Sequence, residues 1–171
     1  LGRWNPAVAM SLAAHDNLCL NNIYRNGNEA QRRKYLPGLC KGTLVGGLGL
    51  TEPGAGSDAL GSMRTTAKRD GSHYVLNGTK IFITNGSSDI SMGTTVQAVT
   101  GLRPDGKKET SCFIVEKGSP GFTTKTMHGK MMWRGSDTAE LYFHDCRVPE
   151  ENLVGKKGEG FRQMMATLDL G

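Results

Sequence analysis

Paired cysteines are missing from this 171-residue chain. Its four cysteines, Cys19, Cys40, Cys112 and Cys146, form no C-x-x-C unit, and their spacing suggests neither a zinc site nor a disulfide framework. The four histidines (His15, His73, His128, His144) are equally dispersed, so no metal is expected. Reduced thiols in an intracellular compartment follow as the default. No apolar run reaches the roughly 18 residues of a transmembrane helix, so no membrane partner is expected. The first residues do not read as a secretory signal. Aromatics are few: five Phe, four Tyr and two Trp. The net charge is +5, but Lys and Arg are scattered and not interleaved with aromatics, so nucleic acid is not an expected partner. Glycine is abundant at 24 residues, which suits many tight turns between short strands.

The hydrophobic period changes once near residue 43. Before it, Asn5-Pro6 reads as a helix start, and Val8, Leu12, Cys19 and Ile23 recur at helical spacing up to Asn26-Gly27. Asn28 with Gln31 three residues on opens a second helix, Glu29 to Leu36; Pro37-Gly38 is expected to stop it. From Thr43 the period is two. Strands are expected at 44–50, 64–69, 72–76, 79–84, 94–100, 110–115, 122–127 and 138–143, with Asp70-Gly71 and Asn77-Gly78 as tight hairpin turns. Finally Phe161, Met164, Met165 and Leu168 fall at i, i+3, i+4 and i+7, so a helix begins near Gly160. The expected class is α+β: a helical N-terminal segment, an antiparallel β-sandwich or barrel, and the first helix of a C-terminal helical bundle. The chain does not begin with Met and ends within an amphipathic pattern, and it reads as a fragment of a longer protein.

The chemistry concentrates at Leu48 to Asp58, Leu-Gly-Leu-Thr-Glu-Pro-Gly-Ala-Gly-Ser-Asp. A buried strand runs in and stops at Pro53, which has no N–H for a ladder. Gly54 and Gly56 let something large approach the backbone, and exposed N–H groups in such a turn suit an anion. Thr51 and Ser57 add hydroxyls. A surface turn with no ligand reads equally well at this level. Gly54-Ala-Gly56-Ser-Asp-Ala59 also fits the loose dinucleotide fingerprint, which requires a helix opening at the glycines. Hairpin signals follow here instead, so the Rossmann reading fails on context.

Leu50-Thr51-Glu52-Pro53-Gly54-Ala55-Gly56-Ser57-Asp58 resembles the signature of the acyl-CoA dehydrogenases. The resemblance continues in order through Tyr74 to Gly86, Phe113 to Glu116, Gly121-Phe122, Arg134 to Thr138, Phe143 to Pro149, Gly158 to Phe161 and Leu168 to Leu170. It implies three regions: residues 1–43 as the end of an N-terminal helical domain, 44–157 as a middle β-domain binding flavin and acyl-CoA, and 158–171 as the truncated start of a C-terminal helical domain. It implies FAD as cofactor, contacted by Leu48, Leu50, Thr51, Gly56, Ser57, Phe82, Ile83 and Thr84. Thr51 would bond the pyrimidine side of the isoalloxazine, and Thr84 would lie near flavin N5. Phe82 stands where many relatives carry Trp. Ser57 would touch the acyl-CoA, and Asp169 would lie near its adenine. Lys107-Lys108 could approach the CoA phosphates, although a solvated hairpin tip reads as well.

The implied reaction is α,β-dehydrogenation of an acyl-CoA to the trans-2-enoyl-CoA, with electrons passed to an electron-transfer flavoprotein by a homo-oligomer, a tetramer or dimer, of the bacterial cytoplasm or mitochondrial matrix. It would belong to fatty acid β-oxidation. No catalytic base is expected in this chain. Glu52 reads as structural, and Asp137 and Asp145 as turn residues. In a minority of relatives, the isovaleryl-CoA type among them, the base occupies the position matching Gly171, and a glycine there speaks against that arrangement. An acyl-CoA oxidase of the same fold and a non-catalytic β-module are the competing readings.

Overall fold

A computed structural model describes residues 1–169. Helices cover the N-terminal quarter. α1 (Pro6–Ala13) is capped by Asn5, whose Oδ1 accepts from Val8 N at 3.1 Å. A π-helical segment (Ala14–Leu20) follows without a break, with Asn21 N–H bonded to the Asp16 carbonyl five residues back, and leads into α2 (Asn21–Asn26). The single helix expected to Asn26 is therefore one helical run with a wider turn in its middle. Asn28 and Gln31 form a reciprocal capping box, 2.8 and 3.0 Å, at the start of α3 (Glu29–Cys40).

α3 does not stop at Pro37-Gly38, contrary to the sequence expectation. The helix runs through the proline because Leu39 is buried at 1% exposure and the last turn closes on itself, Lys41 N to Pro37 O and Gly42 N to Leu39 O. Burial of a leucine, about 1.5–3 kcal/mol, is of the size needed to offset a proline inside a helix.

Eight strands form one curled sheet: β1 (Val45–Gly49), β2 (Thr66–Asp70), β3 (His73–Thr84), β4 (Ser91–Leu102), β5 (Lys108–Glu116), β6 (Phe122–Thr126), β7 (Thr138–Pro149) and β8 (Leu153–Val154). The order is β6-β7-β3-β2-β4-β5-β8, with β1 also on β4. Most pairs are antiparallel, but β1–β4 and the single Thr66↔Val99 link of β2–β4 are parallel, so the sheet is mixed. One edge of β4 is thus shared: β1 takes Ser91 to Val96 and β2 takes Val99. The two halves fold face to face around one core, where Tyr74 of β3 meets Phe113 of β5 with ring centroids 4.8 Å apart. A second cluster lies under the helices, with Cys19, Ile23 and Leu39 against Cys112 and Ile114. This explains why β4 and β5 are buried on both faces over most of their length, polar residues such as Thr94, Thr95 and Gln97 included, whereas the burial of β7 alternates.

Asn77-Gly78 is not a hairpin turn. The two segments expected around it are one strand, β3, and the pair sits at a bulge where β7 carries the extra residue. Asn77 bonds Asp145 twice, through Nδ2 to Oδ1 at 3.0 Å and Oδ1 from the Asp145 N–H at 2.9 Å. Gly78, at φ +150°, passes so close to Thr65 that an added Cβ would lie 2.7 Å from its Cα. Glycine here serves close packing inside a strand, which the same dipeptide would also have served as a turn.

α4 (Gly160–Leu168) lies where the sequence places it, but of its apolar stripe only Met164 faces the body. Gly160, Gln163, Met164 and Thr167 are buried, while Phe161, Met165 and Leu168 are exposed at 40%, 43% and 45%. Gln163 anchors the buried face, donating from Nε2 to the Val154 carbonyl at 2.9 Å.

Candidate functional site

The strand entering the site, β1, is Val-Gly-Gly-Leu-Gly. Gly47 lets it press on the end of β3: a Cβ there would sit 2.4 Å from the Thr84 carbonyl oxygen. Four residues on, the Thr51 carbonyl accepts from Ile81 N–H at 2.9 Å. The 47–51 and 81–84 segments therefore run side by side in opposite directions, and Thr51 and Thr84, both part-exposed, mark the two ends of their contact.

Beneath Thr51 lies a buried ion pair. Lys80 Nζ, on a side chain with 0% exposure, donates to Glu52 Oε1 at 2.9 Å and to the Leu50 carbonyl at 3.1 Å. The Glu52 carboxylate also accepts the backbone N–H groups of Arg64 (2.6 Å) and Thr65 (2.9 Å). Burial pushes the Glu52 carboxyl upward, but the charge of Lys80 and these hydrogen bonds together hold it below its ordinary value. Glu52 and Ala55 exchange two backbone bonds of 3.0 Å, closing the turn over Pro53-Gly54. Both carboxylate oxygens of Glu52 thus accept hydrogen bonds, which tie the turn to Lys80 and to the backbone of Arg64 and Thr65. Beyond it Gly54 and Gly56 have open space where a Cβ would be, and Gly56 and Ser57 are exposed. Asp58 caps the following loop through Gly61 N and Ser62 Oγ.

The second half of the site is a bulge. Between Lys80↔Leu141 and Ile83↔Ala139, β3 carries one residue more than β7. Phe82 sits in it at φ +62°, a left-handed backbone that a bulky residue rarely adopts, and its ring is 61% exposed. Ile83 turns inward and joins the core at 2% exposure, leaving its backbone for any ligand contact. Thr84 pairs with Thr138 of β7. Asn85 and Ser87 are then tied to the 134–138 motif: Asp137 accepts from Ser87 N at 2.8 Å and from Ser87 Oγ, and Asn85 N–H donates to the Asp137 carbonyl. Two stretches noticed separately in the sequence thus form one unit, and Asp137 is a turn residue, as expected. Asp145, at φ +46°, is the bulge partner of Asn77.

Phe82 and Thr84 line a groove of about 420 Å³ with Met10, Lys130, Met131, Met132, Trp133, Ser136 and Thr138. The lining is mainly apolar, with hydroxyls at the rear. Sequence reasoning missed Met131-Met132-Trp133; three large apolar residues standing in a loop outside any strand period was the available signal.

The remaining candidates are more peripheral. Leu48 is a β1 residue opposite Thr95, and Leu50 contributes its carbonyl to Lys80. Asp169 is exposed and caps the C-terminal end of α4. Gly171 lies outside the described residues. Lys108 is committed to the protein, its Nζ donating to the carbonyls of Gly61 (2.6 Å) and Met63 (2.9 Å), while Lys107 is exposed beside Asp105. Burial pushes the thiols of Cys19 and Cys112 up to about 12, which removes them as nucleophiles.

Residues 47–146 match the family described as acyl-CoA dehydrogenase, middle domain, and residues 1–43 match acyl-CoA dehydrogenase, N-terminal domain. The chain belongs to the acyl-CoA dehydrogenase family. It is 46% identical over 172 residues to a mitochondrial isovaleryl-CoA dehydrogenase of Pongo abelii, matching 99% of this chain and 40% of that one. The butyryl-CoA dehydrogenase structure from Megasphaera elsdenii superposes with a TM-score of 0.91 at 43% identity, over 99% of this chain and 43% of the other. A structure of the electron transferring flavoprotein of Acidaminococcus fermentans gives 0.88 at 47%, over 96% and 42%. An acyl-CoA dehydrogenase complexed with FAD from Bacillus anthracis gives 0.86 at 40%, over 96% and 28%. The chain therefore spans about 40% of the length of its curated relatives. Among the described residues, no helix is long and apolar enough to cross a membrane.

Proposed function

We propose that this chain is the cofactor-positioning part of an FAD-dependent acyl-CoA dehydrogenase. The observation that carries the proposal is the placing of two part-exposed threonines, Thr51 and Thr84, at the two ends of one contact between the 47–51 and 81–84 segments, beside an apolar groove and an open glycine turn. A flavin ring requires an apolar face, a few fixed donors along its polar edges and exclusion of water. The residues present fit those demands: Phe82 offers a face, the two hydroxyls offer donors, and Gly54 and Gly56 leave the backbone accessible. When bound, FAD supplies the oxidant that accepts two electrons and the β-hydrogen of the acyl chain while the α-proton leaves to a carboxylate.

The protein's own share is to hold and orient. Thr51 is fixed to the turn that Lys80 and Glu52 brace, and Thr84 is fixed by Gly47 and Thr138. Ser57 faces the thioester, and Leu48, Leu50, Gly56, Ile83 and Asp169 complete the cofactor and substrate contacts. The base lies outside residues 1–169, because the buried carboxylate nearest the site, Glu52, is consumed by structure. Residues 1–43, 44–157 and 158–171 belong to three domains of the whole protein. The substrate class is a short, straight or branched, acyl-CoA, in keeping with the butyryl and isovaleryl names of the relatives. Electrons pass to an electron-transfer flavoprotein from a homo-oligomer in the mitochondrial matrix or bacterial cytoplasm.

The test is to purify the full-length protein and add acyl-CoA anaerobically. Bound flavin that bleaches with a short acyl-CoA, about 10- to 1000-fold more slowly in Thr84→Ala as for loss of one well-placed donor, is the expected result. A protein that takes up no FAD would overturn the proposal, and peroxide formation in air would identify an oxidase.

A further inference from the structure

The groove beside Thr84 has two aromatic sides, and only Phe82 belongs to the β3 bulge. The other is Trp133, at the tip of the turn between Gly129 and Asp137. Trp133 has φ +53°, and Phe82 has φ +62°. Left-handed backbone costs a bulky residue on the order of 1–2 kcal/mol, and such outliers gather at ligand sites. Two large aromatics in that conformation, both lining one groove, are the observation that calls for an explanation. Neither is turned inward: Trp133 is 42% exposed, Met132 61% and Met131 95%.

The turn that carries Trp133 is closed on itself. Ser136 N–H donates to the Trp133 carbonyl at 2.9 Å, and Arg134 Nε donates to the Lys130 carbonyl at 2.8 Å. Lys130 Nζ bonds the Ser136 carbonyl and Thr138 Oγ1, and Thr138 pairs with Thr84. Ser136 Oγ meets Ser11 Oγ at 2.9 Å, which ties the turn to α1. These bonds tie the turn that carries Trp133 to the strand pair that carries Thr84. A bound ring system touching Thr84 on its polar edge extends into this groove, and the groove's other walls are an indole, a phenyl ring and two thioethers. Such groups favour a flat, polarisable partner.

We propose that Trp133 is a flavin-contacting residue that packs against the isoalloxazine ring opposite or beside Phe82, with Met131 and Met132 covering the same edge from water. The inference rests on the flavin reading above and deepens it. It assigns to the 130–136 turn a cofactor role in addition to its part in the Asn85–Ser87 unit.

Tryptophan emission reads this directly. The chain has two Trp, and Trp4 is 85% exposed near the N-terminus. In full-length protein carrying Trp4→Phe, together with Phe or Tyr at any tryptophan outside this chain, adding FAD to the apoprotein should quench Trp133 emission to less than half, in step with flavin uptake. Trp133→Ala should bind FAD about three- to tenfold more weakly, as for loss of one aromatic contact, and shift the bound flavin absorbance band. Trp133→Phe should restore most of the affinity. Circular dichroism of the apoproteins should coincide, since the residue is on a surface turn. Flavin uptake without quenching, or Trp133→Ala with parental affinity and spectrum, overturns this inference and leaves the flavin reading standing. A parent protein that binds no FAD overturns both.

Discussion

Lys80 and Phe82 are two residues apart on β3 and do opposite things. Lys80 is fully enclosed, and each of its contacts braces the Glu52–Ala55 turn. Phe82 is largely exposed on a left-handed backbone that the surrounding bulge imposes. One end of the site is thus stiff because its charges are saturated, and the other is open because its side chains are left without protein partners. The contrast teaches that stability and openness are separated within a single strand: residues below the turn hold the fold, and residues around the groove stay exposed, as the proposed cofactor role requires.

The sharpest way to break that division is Lys80→Met. Removing one partner of a buried pair leaves the Glu52 charge uncompensated, and about 3–5 kcal/mol of stability should be lost, seen as a lower urea midpoint by circular dichroism. A loss below about 1 kcal/mol would show that the turn is not braced by this pair. A smaller effect is expected from acid. Glu52 titrates below its ordinary 4.5 in the fold, so its contribution is complete above about pH 4.5 and disappears as the pH falls through the lowered folded value. Glu52→Gln should be less stable at neutral pH by about 1–3 kcal/mol, with the gap to the parent narrowing below pH 4.5; a constant gap would contradict the linkage. The smallest effect on stability belongs to Phe82→Gly. Relief of the left-handed backbone and the added freedom of glycine nearly cancel, so the urea midpoint should stay within about 1 kcal/mol of the parent, while flavin affinity falls. A large destabilisation would place Phe82 with Lys80 and erase the contrast.

Much of this was legible beforehand where local chemistry leaves one outcome. Asn28 with Gln31 forms a capping box in the sequence and in the structure, and Asp70-Gly71 turns the chain as it should. The Thr51 and Thr84 motifs pointed at one site, and the structure sets the two residues at opposite ends of one contact between the 47–51 and 81–84 segments. What sequence could not convey was long-range pairing. Asn77-Gly78 has the composition of a hairpin turn, yet Asp145, 68 residues away, recruits it into a bulge. Pro37 reads as a stop until Leu39 finds its place under the sheet. Apolar periodicity placed α4, but it marks a face without saying which neighbour covers it. Met131 to Trp133 escaped because they stand in a loop, outside the helix and strand periods by which the chain was divided.

The π segment of the first helical run has a consequence for how α1 reaches the site. Ser11, upstream of it, meets Asn85 and Ser136; Cys19 and Ile23, within and after it, pack under the sheet. One residue of α-helix is about 100° of rotation, so the looser winding of Ala14–Leu20 acts as a phase corrector between two stretches of helix. Without it both sets could not face the same body at once, and the seating of α1 against the groove beside Thr84 is in effect a matter of counting residues.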